Sequence, residues 1–286
     1  MPLRETAVGH EFDPITIRPD ARWCMAFAAG VPDARPELYA TDVQLVVHPL
    51  FPVAAEWQQI VANRSLPEGM THDEARRGIH VGHDLVLHRP LKADEELSVT
   101  ARVTAVGRRP AGASQEMLFV ATDAEGEVVW RTRFSSLFLG VELEGEPVAA
   151  VVDWPAARTN ARSDSAEPIA RRRSHIRPLD AHVYSECARI WNPIHTDVMA
   201  ARAAGLRSPI LHGTATLARA VSIVTDLEGA RLADVRRVAG RFGAMVELDS
   251  TIDVRLLGSE SGMLLFDVLD QGGKPVITNG VVQLHR

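Results

Sequence analysis

Three stretches from the first half of this sequence lie on three from the second, in the same order and without a gap. HPLFPVAAEW (His48 to Trp57) falls on SPILHGTATL (Ser208 to Leu217). PLKADEELSVTARV from Pro90 falls on MVELDSTIDVRLLG from Met245, each an apolar pair, a polar turn with an aspartate and an alternating strand. MLFVATDAEGEVVWRTRF from Met117 falls on MLLFDVLDQGGKPVITNG from Met263, each with a glycine-bearing hairpin turn, at Gly126 and at Gly273. A shorter match sets ARPELYATD against WNPIHTD, with two extra residues in the first. A repeat in this order predicts two tandem copies of one α+β unit. In each copy a long apolar helix is wrapped by an antiparallel sheet whose strands alternate apolar and polar residues. The division expected is a first unit over 1–141, a partly mobile linker over 142–173 and a second unit over 174–286.

The chemically informative side chains are concentrated in the second copy, in YSECARIWNPIHTDVMAARAAGLRSPILHGTATLARAV (Tyr184 to Val221). Asp180 is the expected N-cap of a helix carrying Val183, Tyr184, Cys187 and Ile190 at helical spacing. Asn192-Pro193 breaks that helix, because the residue before a proline is pushed out of the helical region. His195 therefore falls just past a helix end. A short helix over Thr196 to Ala204, stopped by Gly205, comes next, and a long apolar one runs from Gly213 to about Leu227. A glycine at a helix start admits a ligand closely and leaves backbone N–H groups unpaired, the geometry that polarises a carbonyl oxygen. It also serves a plain tight turn, so the residues alone leave both readings of Gly213 open.

The run NPIH, followed a dozen or more residues later by PILHG and an apolar helix, resembles the MaoC-like (R)-specific enoyl-CoA hydratase/dehydratase family in its double hot-dog form. That family's pattern is approximately Gly-Asp-x-Asn-Pro-(Leu/Ile)-His. In it the aspartate and histidine hold and activate the water that adds to a 2-enoyl thioester, the asparagine supports the turn, and the glycine of the His-Gly pair offers an oxyanion N–H. The resemblance implies a tandem double hot-dog, with His195 as the catalytic histidine, Asn192 as the turn residue and Gly213 as the oxyanion donor. Trp191, His212 and Tyr184 are candidate substrate contacts, although Trp191 is equally natural as a core or interface aromatic. The sequence departs from the pattern at two places: Ile190 stands where the aspartate would be and Arg189 where the glycine would be. Pro52 stands where His212 stands, so the first copy lacks these groups and is expected to complete the sheet and shape half of the pocket.

Three functions fit this half-complete site. One is a hydro-lyase acting on a 2-enoyl or 3-hydroxyacyl thioester through an altered acid/base site; another is a non-catalytic acyl-thioester-binding subunit. The third is a thioesterase-like reaction on the same fold, in which another carboxylate directs water at the carbonyl. Glu186, Asp197, Asp42 and Asp84 are the candidate replacement carboxylates, and Asp197 is also a natural helix cap.

His80, His83 and His88 lie on a strand pattern in which His80 and His88 share a parity that His83 does not. They read as hydrogen-bonded histidines near a pocket rim and not as one metal site, unless a bulge intervenes. Arg171, Arg172 and Arg173 read as a solvated face or as partners for the phosphates of a coenzyme A tail. No other cofactor is expected, coenzyme A or an acyl carrier protein being part of the substrate.

A net charge of -6 over 286 residues speaks against nucleic acid and anionic membrane surfaces as partners. Cys24 and Cys187 form no disulfide framework, and no stretch of about 18 apolar residues is present. The expectation is a cytoplasmic homodimer, since hot-dog sheet edges need covering.

Overall fold

The computed structural model describes residues 2–62, 70–156 and 167–285. Its first half contributes strands β1 (Glu11–Ile17), β2 (Gly78–Leu87), β3 (Leu97–Arg109), β4 (Gly112–Thr122) and β5 (Val128–Leu139). The second half contributes β6 (Ala170–Ile176), β7 (Val235–Phe242), β8 (Ser250–Glu260), β9 (Met263–Leu269) and β10 (Pro275–Leu284). They join in one antiparallel sheet in the order β1-β3-β4-β5-β2-β7-β10-β9-β8-β6. Adding five to each label of the first half gives the second half read from its far end. The order is therefore a repeat about the central β2–β7 pair, where Gly82 to Val86 face Arg241 to Arg237.

Helices α1 (Ala21–Gly30) and α2 (Pro52–Ala62) belong to the first half, and α3 (Asp180–Ala188), α4 (Val198–Ala203) and α5 (Gly213–Glu228) to the second. Both halves close on one core. Phe27, Phe51, Leu85 and Trp130 share it with Leu217, Val221, Val254 and Phe266. Every residue of α5 from Ala215 to Thr225 is buried, as a helix wrapped by a sheet requires. Helices α1 and α3 pack across the repeat axis so closely that a Cβ on Gly30 would stand 2.8 Å from Cys187 Cβ, which restricts that position to glycine. The structure is a double hot-dog. The paired turn aspartates of the repeat, Asp94 and Asp249, both adopt left-handed backbone, with φ 63° and 55°.

Local expectations are corrected at several points. Glu11 to Ile17 form the edge strand β1. Asp180 is the first residue of α3 and does not cap it. Its carboxylate instead pairs with Arg219 Nη2 at 2.9 Å and Arg177 Nε at 2.7 Å, a buried link that ties α3 to α5. Asp197, and not Thr196, caps α4 through bonds from Met199 N and Ala200 N.

Much of the linker is docked. Leu143–Glu144 pairs with Leu3–Arg4, and Val148–Ala149 extends β3. Trp154 lies under Arg131 and Arg133, and its Nε1–H donates to Asp84 at 2.9 Å. Residues 157–166, the centre of that linker, lie outside the described residues. Arg171, Arg172 and Arg173 belong to β6, and Arg172 pairs with Asp226 at 2.7 Å. Among the described residues no helix is long and apolar enough to cross a membrane.

Candidate active site

Helix α3 ends on Arg189, whose φ of 57° lies in the left-handed region that a helix C-cap commonly fills with glycine. Arg189 is held there with its guanidinium 4.2 Å from the Trp23 ring of the other half. Ile190 turns its side chain into the shared core, 6% exposed. Asn192 Oδ1 accepts from Ile194 N at 3.4 Å and so caps the 3-10 turn Pro193–His195. That turn delivers His195 to the mouth of α5.

His195 is 8% exposed, and its Nδ1 lies 2.9 Å from the carbonyl oxygen of Ile210. A carbonyl only accepts, so Nδ1 carries the hydrogen and Nε2 keeps the lone pair. Burial pushes the imidazole down to about 4, the Ile210 hydrogen bond opposing. At neutral pH this histidine is an uncharged base with a fixed tautomer.

His212 stacks on His195, ring centres 3.6 Å apart and planes at 24°. Its Nε2 lies 3.3 Å from the Ile190 carbonyl and 3.2 Å from Ser185 Oγ, so Nε2 carries the hydrogen. Its Nδ1 is buried with no hydrogen-bond partner among the described residues. Burial and the neighbouring His195 hold this imidazole well below its ordinary value. Tyr184 is fully buried with its ring 5.0 Å from His212, and its hydroxyl donates to Thr214 Oγ1 at 3.2 Å. Gly213 opens α5, and the side chain of the preceding His212 makes no capping hydrogen bond to the first turn. A Cβ there would meet the Phe242 ring at 3.2 Å.

Beyond Phe242 the wall is built by the first half. His80 lies edge-on to Phe242 at 4.8 Å and stacks on Phe134 at 3.7 Å. A bulge against β5 between His80 and Gly82 undoes the strand parity, and His80 and His83 meet at 5.4 Å. His83 is buried, neither ring nitrogen has a partner among the described residues, and burial lowers it to about 4. The described residues contain no cluster of metal-ligating side chains.

Trp191 is 59% exposed and stands outside this buried cluster. The candidate carboxylates are also placed elsewhere. Asp84 holds Arg237 at 2.7 Å and Trp154, Asp197 caps α4, and Asp42 and Glu186 are exposed. Sequence reasoning missed Ser185, Thr214, Phe242 and the Ile210 carbonyl. Only the proximity of Ser185 and Thr214 to the motif could have marked them.

Residues 160–267 match the family described as MaoC like domain, and residues 6–132 match the FAS1-like, dehydratase domain region. The second half of the chain thus resembles a MaoC like domain and the first a FAS1-like dehydratase region, on a double hot-dog fold. A MaoC-like dehydratase from Phytophthora capsici resembles it with a TM-score of 0.84 at 20% identity, covering 97% of this chain and 95% of that one. The full-length peroxisomal multifunctional enzyme type 2 from Drosophila melanogaster aligns at 0.75 and 21% identity over 96% of this chain. This chain spans only 48% of that enzyme. A Mycobacterium tuberculosis protein described as having a double hotdog fold aligns at 0.60 and 13% identity, covering 96% and 97%. No curated protein matches the sequence.

Proposed function

We propose that the protein adds water reversibly to a 2-enoyl thioester, with His195 as its single acid/base group. The observation that carries this reading is the Nδ1–H bond to Ile210, which leaves the Nε2 lone pair beside an uncapped, glycine-headed helix start. His195 Nε2 takes a proton from water as the water oxygen bonds to C3 and the C2–C3 π electrons shift toward the carbonyl. The Gly213 N–H receives the charge that develops on the thioester oxygen. The imidazolium then returns the proton to C2, giving the 3-hydroxyacyl thioester and restoring neutral His195. Dehydration is the same path reversed.

The carrier on this reading is coenzyme A or an acyl carrier protein, with no further cofactor. The protein is a cytoplasmic homodimer, and light scattering that returned a monomer would refute that state. A second reading, a non-catalytic acyl-thioester-binding subunit, is favoured by Ile190, an apolar core side chain where the family has its carboxylate.

The test is loss of enoyl-thioester absorbance across trans-2-enoyl-CoA substrates of rising chain length. Turnover that falls about 10²- to 10⁴-fold in His195→Ala is the expected result. Acyl-CoA binding without turnover on any chain length would transfer the assignment to the binding subunit.

A further inference from the structure

We infer that His212 stands in for the missing carboxylate, as a positioning residue that stabilises His195 when it becomes charged. The inference rests on the hydratase reading above for its catalytic meaning, but its physical content is a property of the two rings. When His195 takes a proton inside a buried site, the resulting cation needs an electron-rich neighbour, since burial alone opposes the charge. Asp84 and Asp197 are committed elsewhere, and Asp42 and Glu186 are exposed. The groups in recorded contact with the two rings are Ser185 and Tyr184 from α3 and the carbonyls of Ile190 and Ile210. None of these is charged near neutral pH. The His212 ring, 3.6 Å away and nearly parallel, is the polarisable group in face-to-face contact.

The dipole of that ring is also fixed. Ile190 O and Ser185 Oγ both lie at Nε2, which makes Nε2–H the positive end and the unpartnered Nδ1 the negative end. A buried acceptor without a donor costs about 1–3 kcal/mol, and such groups in a folded protein call for an explanation. A neutral ring that keeps Nδ1 unprotonated, with its face against a histidine that must carry positive charge, supplies one. Position 190 then retains a part in the chemistry. It offers a carbonyl that sets the tautomer of His212, in place of a side chain that would face the cation directly.

The experiment follows His195 by NMR titration of the imidazole in the full chain, in wild type and in His212→Phe. Phenylalanine keeps the stacked ring and removes the nitrogen dipole. The expected result is a His195 proton affinity about tenfold weaker in the variant, that is about one pH unit lower. On crotonyl-CoA, kcat is expected to fall about tenfold with KM within about twofold. Adding Ile190→Asp to His212→Phe is expected to restore both.

If His212→Phe does not fold, His212→Leu, which also removes both ring nitrogens, gives the same comparison. An unchanged or raised His195 titration in the folded variant overturns the inference, whatever the enzyme turns over. A lowered titration in a protein that hydrates no thioester sinks the hydratase reading and leaves the pairing intact.

Discussion

Asp33 to Leu38 and Ile190 to His195 are one turn built twice, each following a helix and each ending in a 3-10 turn, Pro36–Leu38 and Pro193–His195. Counted from the shared proline, Asp33 occupies the place of Ile190, Arg35 that of Asn192 and Leu38 that of His195. The first turn therefore has the carboxylate and lacks the histidine, and the second has the reverse. Their surroundings decide what each group does. Burial pushes the Asp33 carboxyl up, but hydrogen bonds from Arg35 and Ser222 outweigh it and hold the group below its ordinary value. Arg35 Nε lies 3.0 Å from Asp33, and its other nitrogens reach Thr225 Oγ1 and the Ser222 carbonyl of α5. The carboxylate is consumed in fastening the first half to the helix of the second. His195 has no such partner, which leaves it free to exchange a proton.

The largest effect that would sharpen this contrast is expected from Asp33→Ala. It strands a half-buried guanidinium against α5 and is expected to cost about 3 kcal/mol of stability by denaturant titration, with kcat of the folded fraction little changed. A stable Asp33→Ala protein with lost turnover would break the comparison by giving the first turn a chemical role.

Next comes Ile190→Asp, which moves a carboxylate into the second turn. Burying it in the shared core is expected to lower stability by about 2 kcal/mol and to raise the hydration rate, because His195 gains a charged partner. Turnover that is unchanged, alongside loss in His195→Ala, would mean that the site works on other groups.

Arg189→Gly is smaller. It releases the left-handed backbone of about 1 kcal/mol and removes the cation–π contact to Trp23, worth about as much, so thermal melting is expected to move little.

Smallest of all is the response to acid. A base is active when unprotonated, so lowering its pKa to about 4 moves the acid limb of kcat/KM down. The rate is then expected to change less than about twofold between pH 7 and pH 5. A limb centred near 6.5 would mean that His195 titrates as though solvated.

The sequence carried the repeat far. The match of Pro90 to Met245 anticipated twin turns, and Asp94 and Asp249 share the left-handed conformation that such turns require. NPIH and PILHG pointed to His195, Asn192, Gly213 and His212; His195 stacks on His212 at the start of α5, and Asn192 caps the turn that carries His195. What escaped was set by groups with no residue code. The tautomer of His195 depends on a backbone carbonyl at position 210, which any side chain could have accompanied. One bulged residue between His80 and Gly82 reversed a parity argument that was sound for a regular strand. Asp180 had the look of a cap because its partner Arg219 lies 39 residues away in sequence. The docking of Trp154 on Asp84 spans 70 residues and is equally invisible to local pattern.

The strand order, repeated about the β2–β7 junction, has a consequence for how such a protein diverges. In a symmetric pair of identical subunits each substitution is made twice, and a change that suits one site is imposed on the other. Here the two copies share a sheet and a core but are written separately, so each position of the turn was free to change alone. Position 35 is an arginine that anchors, and position 192 is an asparagine that caps the turn carrying a histidine. Asymmetry of that kind is open to two copies written in one chain and closed to two identical subunits.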